Sequence, residues 1–179
     1  FDKYRHIFDN NFTIIYAGNI GLAQSLGVLI ETAMKIKANK IDEIKILLLG
    51  DGTQKQYLCD EVDKYDLCDY IIFTGSIPPI NVGEFLLEAN ILLLHLKNDP
   101  LFEITLPSKL GSYFSLGKPV LCGVSGESSE LVKNKNAGLC FTPDNPEDLY
   151  NKIILSMNLN QEEMVKMGVN GKKFYDENI

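Results

Sequence analysis

No run in this sequence approaches the roughly 18 apolar residues that a membrane-spanning helix needs, and no signal-peptide pattern opens the chain. Its four cysteines, Cys59, Cys68, Cys122 and Cys140, fall in no C-x-x-C or other metal-ligand spacing. Cys122 and Cys140 each close a strongly apolar run, where a reduced thiol acts as a small core residue, so a cytoplasmic, reducing location is expected. Basic charge is also short: 17 Lys and Arg stand against 24 Asp and Glu, a net charge of −7. That excludes broad binding to nucleic acid through a basic face, though a small anion needs only local donors. There are two histidines, no clustered carboxylates suited to a metal, and no nucleophile set beside a general base. Internal repeats and low-complexity tracts are absent too.

What the sequence does contain is alternation. The runs "FTIIYAG", "IKILLLGDG", "YIIFTG", "ILLLHL", "KPVLCGV" and "AGLCFTP" are continuous, apolar and short, as strands buried on both faces of a parallel sheet are. Between them lie helical stretches. Leu22, Leu26, Leu29, Ala33 and Ile36 form one stripe at spacings of 4, 3, 4 and 3. Asn81 is placed to cap "VGEFLLEA", and Asn145 to cap "PEDLYNKIILSM" with Pro146 at its first position. Asn160 with Glu163 makes a capping box. The 179 residues therefore predict one α/β domain, a Rossmann-like, doubly wound, mainly parallel six-stranded sheet over 13–179. Residues 1–12 read as a linker. In such folds the ligand lies beyond the carboxyl ends of the strands, near the switch in strand order.

The loops at those ends are the places to look. After the first strand, "AGNIGLAQSL" sets Gly18 and Gly21 around a tight turn predicted to open directly into a helix, where free N–H groups attract an anion. A bare structural turn is the competing reading. After the second, Gly50 and Gly52 flank Asp51. An acidic ribose clamp belongs about 20 residues past the glycines, but Asp51 lies 33 past Gly18, so an NAD site is poorly served. After the third, "TGSIPPIN" is extended by its prolines and either pairs with a nucleobase edge or is merely stiff. After the fourth comes "KNDPLFEITLPSKL", a long loop whose Leu101, Phe102, Ile104 and Leu106 predict that it packs down and shapes a pocket. It leads into a helix with Pro107 expected at the first position and Ser108 and Lys109 in the first turn. A lysine there opposes the helix dipole at about 0.3–1 kcal/mol. It is either a solvated surface lysine or a ligand for an anion that reverses the sign of that term. His95, at the end of the fourth strand, reads as an acid or base or as a packed side chain; His6 falls in the linker.

The segments "DPLFEITLPSKLGSYFSLGKPVL", Gly126-Glu127, "NAGL" and "PDNPEDL" resemble the nucleotide-binding half of family 4 glycosyltransferases of GT-B fold, in the subgroup that builds bacterial capsule, O-antigen or exopolysaccharide. "YAGNIG", "LLGDG" and "FTGSIP" follow that family's order. The resemblance implies transfer of a hexosyl or N-acetylhexosaminyl unit, with retention, from a nucleoside diphosphate sugar (UDP-linked) to a glycan or lipid-linked acceptor, with no resident cofactor or metal. It implies that Gly18, Asn19 and Gly21 face the diphosphate, with Gly50 at the next strand end. Lys109 and the Ser108 amides hold phosphate, Ser76 and Ile77 pair with uracil, Phe102 and Glu103 line the sugar pocket, and Glu127, Ser128 or Ser129 reach in from the following loop. Two departures stand out. Asn19 and Gln24 occupy the neighbourhood where many members carry arginine and lysine, and the E-x₇-E pair is replaced by Ile104 and Ser112, leaving Glu103 as a substitute. The resemblance also implies that an acceptor domain precedes this one, that the fragment alone is inactive, and that the whole enzyme works at the inner face of the cell membrane. A non-catalytic nucleotide or sugar-phosphate module and a sugar-nucleotide epimerase are the other readings.

Overall fold

The computed structural model describes residues 1–179. Its six strands, β1 (Phe12–Ala17), β2 (Ile44–Leu49), β3 (Ile71–Gly75), β4 (Ile91–His95), β5 (Val120–Gly123) and β6 (Gly138–Cys140), form one sheet in the order β3-β2-β1-β4-β5-β6. Every pairing is parallel. The helices are α1 (Arg5–Phe8), α2 (Val28–Ala38), α3 (Lys55–Lys64), α4 (Pro79–Glu88), α5 (Ser108–Ser115), α6 (Glu127–Asn134), α7 (Pro146–Asn158) and α8 (Gln161–Asn178). Alternate strand residues divide the core in two, as a pleat requires. Ile14, Tyr16, Ile46, Leu48, Leu93 and Leu121 meet Leu29, Ala33 and Ile36 of α2, Leu58 and Val62 of α3, and Leu149 and Ile153 of α7. Ile15, Leu47, Leu49, Leu92, Leu94 and Val120 meet Ile7 of α1, Phe85 of α4, Leu110, Tyr113 and Phe114 of α5, and Val132 of α6. Both faces are covered, which is why the strands read as unbroken apolar runs.

Local capping follows expectation where the cap is a side chain. The Asn145 Oδ1 accepts from the Asp148 N–H at 2.9 Å. Asn160 and Glu163 exchange both bonds of a capping box, at 2.8 and 3.2 Å. Elsewhere the helix starts move. Helix α4 begins at Pro79 behind Pro78, so Asn81 lies inside its first turn rather than capping it. Pro107 is the cap of α5 rather than its first residue, because its extended ψ of 137° precedes the helix. The helix expected straight after Gly21 begins only at Val28. Leu22, the first residue of the predicted stripe, is 72% exposed, and Ser25 adopts a left-handed φ of 47°. The Gln24 carbonyl is bonded to the His95 ring and the Ser25 hydroxyl to the Asp144 carboxylate, which ties 22–27 to other loops instead of continuing the helix. Residues 2–8, within the stretch read as a linker, form a short 3₁₀ turn and α1. Phe1 and Tyr4 lay their rings 5.2 and 5.7 Å from Phe85, and Ile7 is buried.

The switch in strand order falls between β1 and β4. These strands share only the register pairs Ile14↔Ile91 and Ile15↔Leu92, and beyond them they part. The hydroxyl of Tyr113, on α5, fills the split: it donates to the Leu93 carbonyl at 3.1 Å and accepts from the Ala17 N–H at 3.2 Å. Tyr113→Phe should leave these backbone groups without a partner, at about 1–3 kcal/mol, lowering the melting temperature by roughly 2–12 °C for a domain of this size. Thermal unfolding of the two proteins checks it; equal melting temperatures would mean that the hydroxyl is dispensable.

Candidate functional site

The ends of β1, β2 and β3 enclose a cleft of about 460 Å³, lined by Ala17, Gly18, Asn19, Leu49, Gly50, Asp51, Ser76, Ile77 and Val82. Five residues singled out in the sequence, Gly18, Asn19, Gly50, Ser76 and Ile77, thus come together. The loops are laid one on another: the Gly18 N–H donates to Leu49 O at 2.9 Å, and the Gly50 N–H to Gly75 O at 3.0 Å. Gly50 has φ +144°, and a Cβ on it would overlap the Gly18 carbonyl oxygen. A larger hollow of about 580 Å³ lies between α2, α3 and the start of α7, away from the strand ends. Its lysine, Lys35, is paired with Glu147, and Glu31 and Glu61 also line it, so it repels an anion.

Lys109 reaches back from the first turn of α5 to the end of β1. Its Nζ donates to Ala17 O at 2.7 Å and sits 4.9 Å from the centroid of the Tyr16 ring. The Tyr16 hydroxyl in turn donates to Asn19 O at 2.6 Å. A Cβ on Gly18, whose φ is +147°, would run into that ammonium. Partial burial lowers the Lys109 pKa, with no carboxylate contributing, and Lys109 enters none of the ion pairs. No side chain caps α5, so the Ser108 and Lys109 N–H groups stand at a helix N-terminus beside an ammonium without an acid. That arrangement attracts an anion.

The other predicted residues are distributed as follows. Gly21 is buried and its N–H is bonded to the Gln24 Oε1 at 3.0 Å. With α2 starting later, Gly21 offers neither a free amide nor a helix end, so that expectation is corrected. Phe102 and Glu103 lie on the loop between β4 and α5, in or just after a short 3₁₀ turn, and Glu103 is exposed. This loop docks on the start of α6: Glu103 O accepts from the Glu127 N–H at 2.8 Å, and Thr105 O from the buried Ser128 hydroxyl at 2.9 Å. The Ser129 hydroxyl donates to Gly126 O at 3.0 Å. The Ser128 and Ser129 hydroxyls are therefore spent on backbone, and Glu127 is the exposed side chain of the three. Ser112 is exposed one turn along α5, donating to Ser108 O at 3.3 Å. His95 is buried, packed between loops, with burial lowering its pKa. No three His, Cys, Asp or Glu side chains gather into a metal-holding group, and no helix is long and apolar enough to cross a membrane.

Sequence reasoning missed Tyr16 and Tyr113. Tyr16 reads as one more core residue of a strand. Tyr113 did carry a signal, since it follows Lys109 by four residues and an i, i+4 pair shares one helix face.

The family model described as Glycosyl transferases group 1 matches residues 2–174. No curated protein matches the chain in sequence. Among solved structures, HepE of Anabaena in complex with UDP-glucose superposes with a TM-score of 0.79 at 17% identity, covering 98% of this chain and 47% of HepE. Sucrose-phosphate synthase of Thermosynechococcus elongatus gives 0.78 at 18%, covering 98% and 44%. The C-terminal domain of the group 1 glycosyl transferase LpcC of Francisella tularensis gives 0.76 at 15%, covering 99% and 91%. The chain spans about half the length of HepE and of the synthase. At these identities the likeness is one of fold, the Rossmann-like fold of GT-B glycosyltransferases.

Proposed function

Because the chain belongs to the Glycosyl transferases group 1 family, we propose that it is the donor-binding half of a retaining glycosyltransferase that takes a UDP-linked sugar and needs no resident cofactor. The observation that carries this is the placement of Lys109: an ammonium without a carboxylate, held against Gly18 at the switch between β1 and β4. An ammonium about 4 Å from a phosphate charge gains about 4 kcal/mol at an effective dielectric near 20, before desolvation. In the transfer, negative charge grows on the departing diphosphate. A preorganised lysine and the helix N–H groups oppose that growth more strongly in the transition state than in the ground state. HepE, whose fold the chain shares, has been seen with UDP-glucose.

In this reading the cleft at Gly50, Ser76 and Ile77 takes the uridine, Gly18 and Asn19 meet the diphosphate, and Phe102, Glu103 and Glu127 meet the sugar. With Asn19 and Gln24 uncharged, the leaving group relies on Lys109. The acceptor, a glycan or lipid-linked saccharide of surface polysaccharide synthesis, is bound by a second half of the enzyme, in the cytoplasm at the inner membrane face. Calorimetric titration with UDP, GDP and NAD tests the donor site: UDP should bind at least tenfold more tightly than either rival, and tighter NAD binding would overturn the reading. Incubated with UDP-sugar and acceptor, this chain alone should transfer nothing; turnover would show that no second half is needed.

A further inference from the structure

We infer that His95 and Asp144 are positioning residues for the donor loop, joining three loops so that the turn through Gly21 holds Asn19 in place for the diphosphate. The inference rests on the donor-site reading and adds to it two residues outside the cleft lining.

His95 ends β4, is 1% exposed, and lies flat against Phe141, with ring centroids 5.7 Å apart and planes 5° off parallel. Its Nδ1 is 2.7 Å from Gln24 O, and its Nε2 is 3.0 Å from the Asp144 N. A carbonyl only accepts and an amide N–H only donates, so the ring is neutral with its proton on Nδ1. The connection continues on both sides. The Gln24 Oε1 accepts from the Gly21 N–H at 3.0 Å and from the Asn19 Nδ2 at 3.4 Å. The Asp144 carboxylate accepts from the Ser25 hydroxyl at 2.6 Å and from the Asn98 N–H at 2.7 Å. Loops leaving β1, β4 and β6 therefore meet on one imidazole and one carboxylate, at the ligand edge of the sheet.

Ser25 has φ 47° and Asp144 φ 59°, and these left-handed residues are bonded directly to each other. Asn10, Lys40, Asp66 and Asn136 take a similar φ at turns elsewhere, so it is the direct bond between these two loops, rather than the conformation, that marks the junction. A side chain that served only to fill the core beside Phe141 would not need two polar partners on different loops.

Protonation undoes the junction. An imidazolium would set an Nε2–H against the Asp144 N–H, two donors facing each other. The one charged group facing the ring is the Asp144 carboxylate, whose Oδ1 is 3.9 Å from Nε2. Gln24 faces it with a carbonyl, and Phe141 and Gly123 bring no charge. That oxygen is also the one that accepts from the Ser25 hydroxyl, so an imidazolium would compete with Ser25 for it. Burial lowers the His95 pKa, against weaker raising effects from Gln24 and Asp144. The stabilisation from the neutral ring is thus complete above the ordinary histidine value of about 6.5 and is lost as pH falls below it.

The test compares wild type, His95→Gln, which keeps donor and acceptor atoms but does not titrate, and His95→Phe, which fills space without bonding. The first readout is the hydrogen-exchange protection of the Gly21 amide, without ligand. The second is the Kd for UDP-glucose, whose charge is constant between pH 5.5 and 7.5. Expected are at least a tenfold loss of Gly21 protection in His95→Phe and retention in His95→Gln. At pH 7.5 the Kd of His95→Phe should be at least threefold above that of wild type, and that of His95→Gln should match wild type. Equal Gly21 protection in wild type and His95→Phe, or equal Kd values for the two at pH 7.5, would overturn the inference. If His95→Phe does not fold, Asp144→Ala, which frees Ser25 and Asn98, is read by the same two measurements and decides. Failure of wild type to bind UDP-glucose at any pH would count against the donor site, whereas unchanged Gly21 protection counts against the junction.

Discussion

Lys109→Ala is expected to weaken UDP binding roughly 10- to 150-fold, the equivalent of about 1.5–3 kcal/mol for a charge-assisted contact, while the melting temperature moves by no more than about 3 °C. The two effects separate because the lysine is poorly employed in the unliganded fold. It stands at the positive end of α5, lacks a carboxylate, and holds one carbonyl and the face of Tyr16. Removing it loses one charge-assisted hydrogen bond but relieves both the dipole term and the desolvation of a partly buried ammonium, so stability changes little. A bound diphosphate, by contrast, loses the one ammonium packed against the Gly18 turn. Calorimetry with UDP and a thermal melt on the same preparation measure both; unchanged affinity would remove Lys109 from the site.

Gly50→Ala is expected to produce the largest change in stability. The position costs an L-residue about 1–3 kcal/mol for its φ of +144°. Overlap of the new methyl with the Gly18 carbonyl adds about 1–3 kcal/mol, because what must yield is backbone rather than a flexible side-chain tip. At 2–4 °C per kcal/mol, the melting temperature should fall by roughly 5–20 °C, and UDP binding should fail with it, since the Gly18 turn moves. Gly83→Ala serves as the contrast. It lies within α4 with no atom in the path of a Cβ, so the same chemical change should stabilise by about 0.5–1 kcal/mol. A drop of under 3 °C for Gly50→Ala would show that the two loops are not pressed together.

Much of the candidate site could be read without coordinates. Lys109 was conspicuous because it breaks a local helix rule, and Gly18, Gly50, Ser76 and Ile77 because each ends or follows an apolar run that could only be a strand. The errors share one cause. Leu22 is in phase with the α2 stripe, but Gln24 and Ser25 bond to partners far along the chain, Asp144 and His95 among them, and the helix is delayed to Val28. Ser128 and Ser129 looked available because nothing in their own segment shows that the loop before α5 folds over them. Tyr16 and Tyr113 looked like core, and their hydroxyls matter only once β1 and β4 part.

The sequence by itself determined the number of strands, their parallel arrangement and the side-chain caps of α7 and α8. These depend on burial along a segment and on bonds between residues three apart, both of which leave a local pattern. Only the tertiary structure decided where α2 starts, what fills the split between β1 and β4, which amides and hydroxyls are already spent, and which loops His95 joins. Those outcomes depend on hydrogen bonds between groups far apart in the chain, and a donor carries no mark in the sequence of which distant acceptor will reach it.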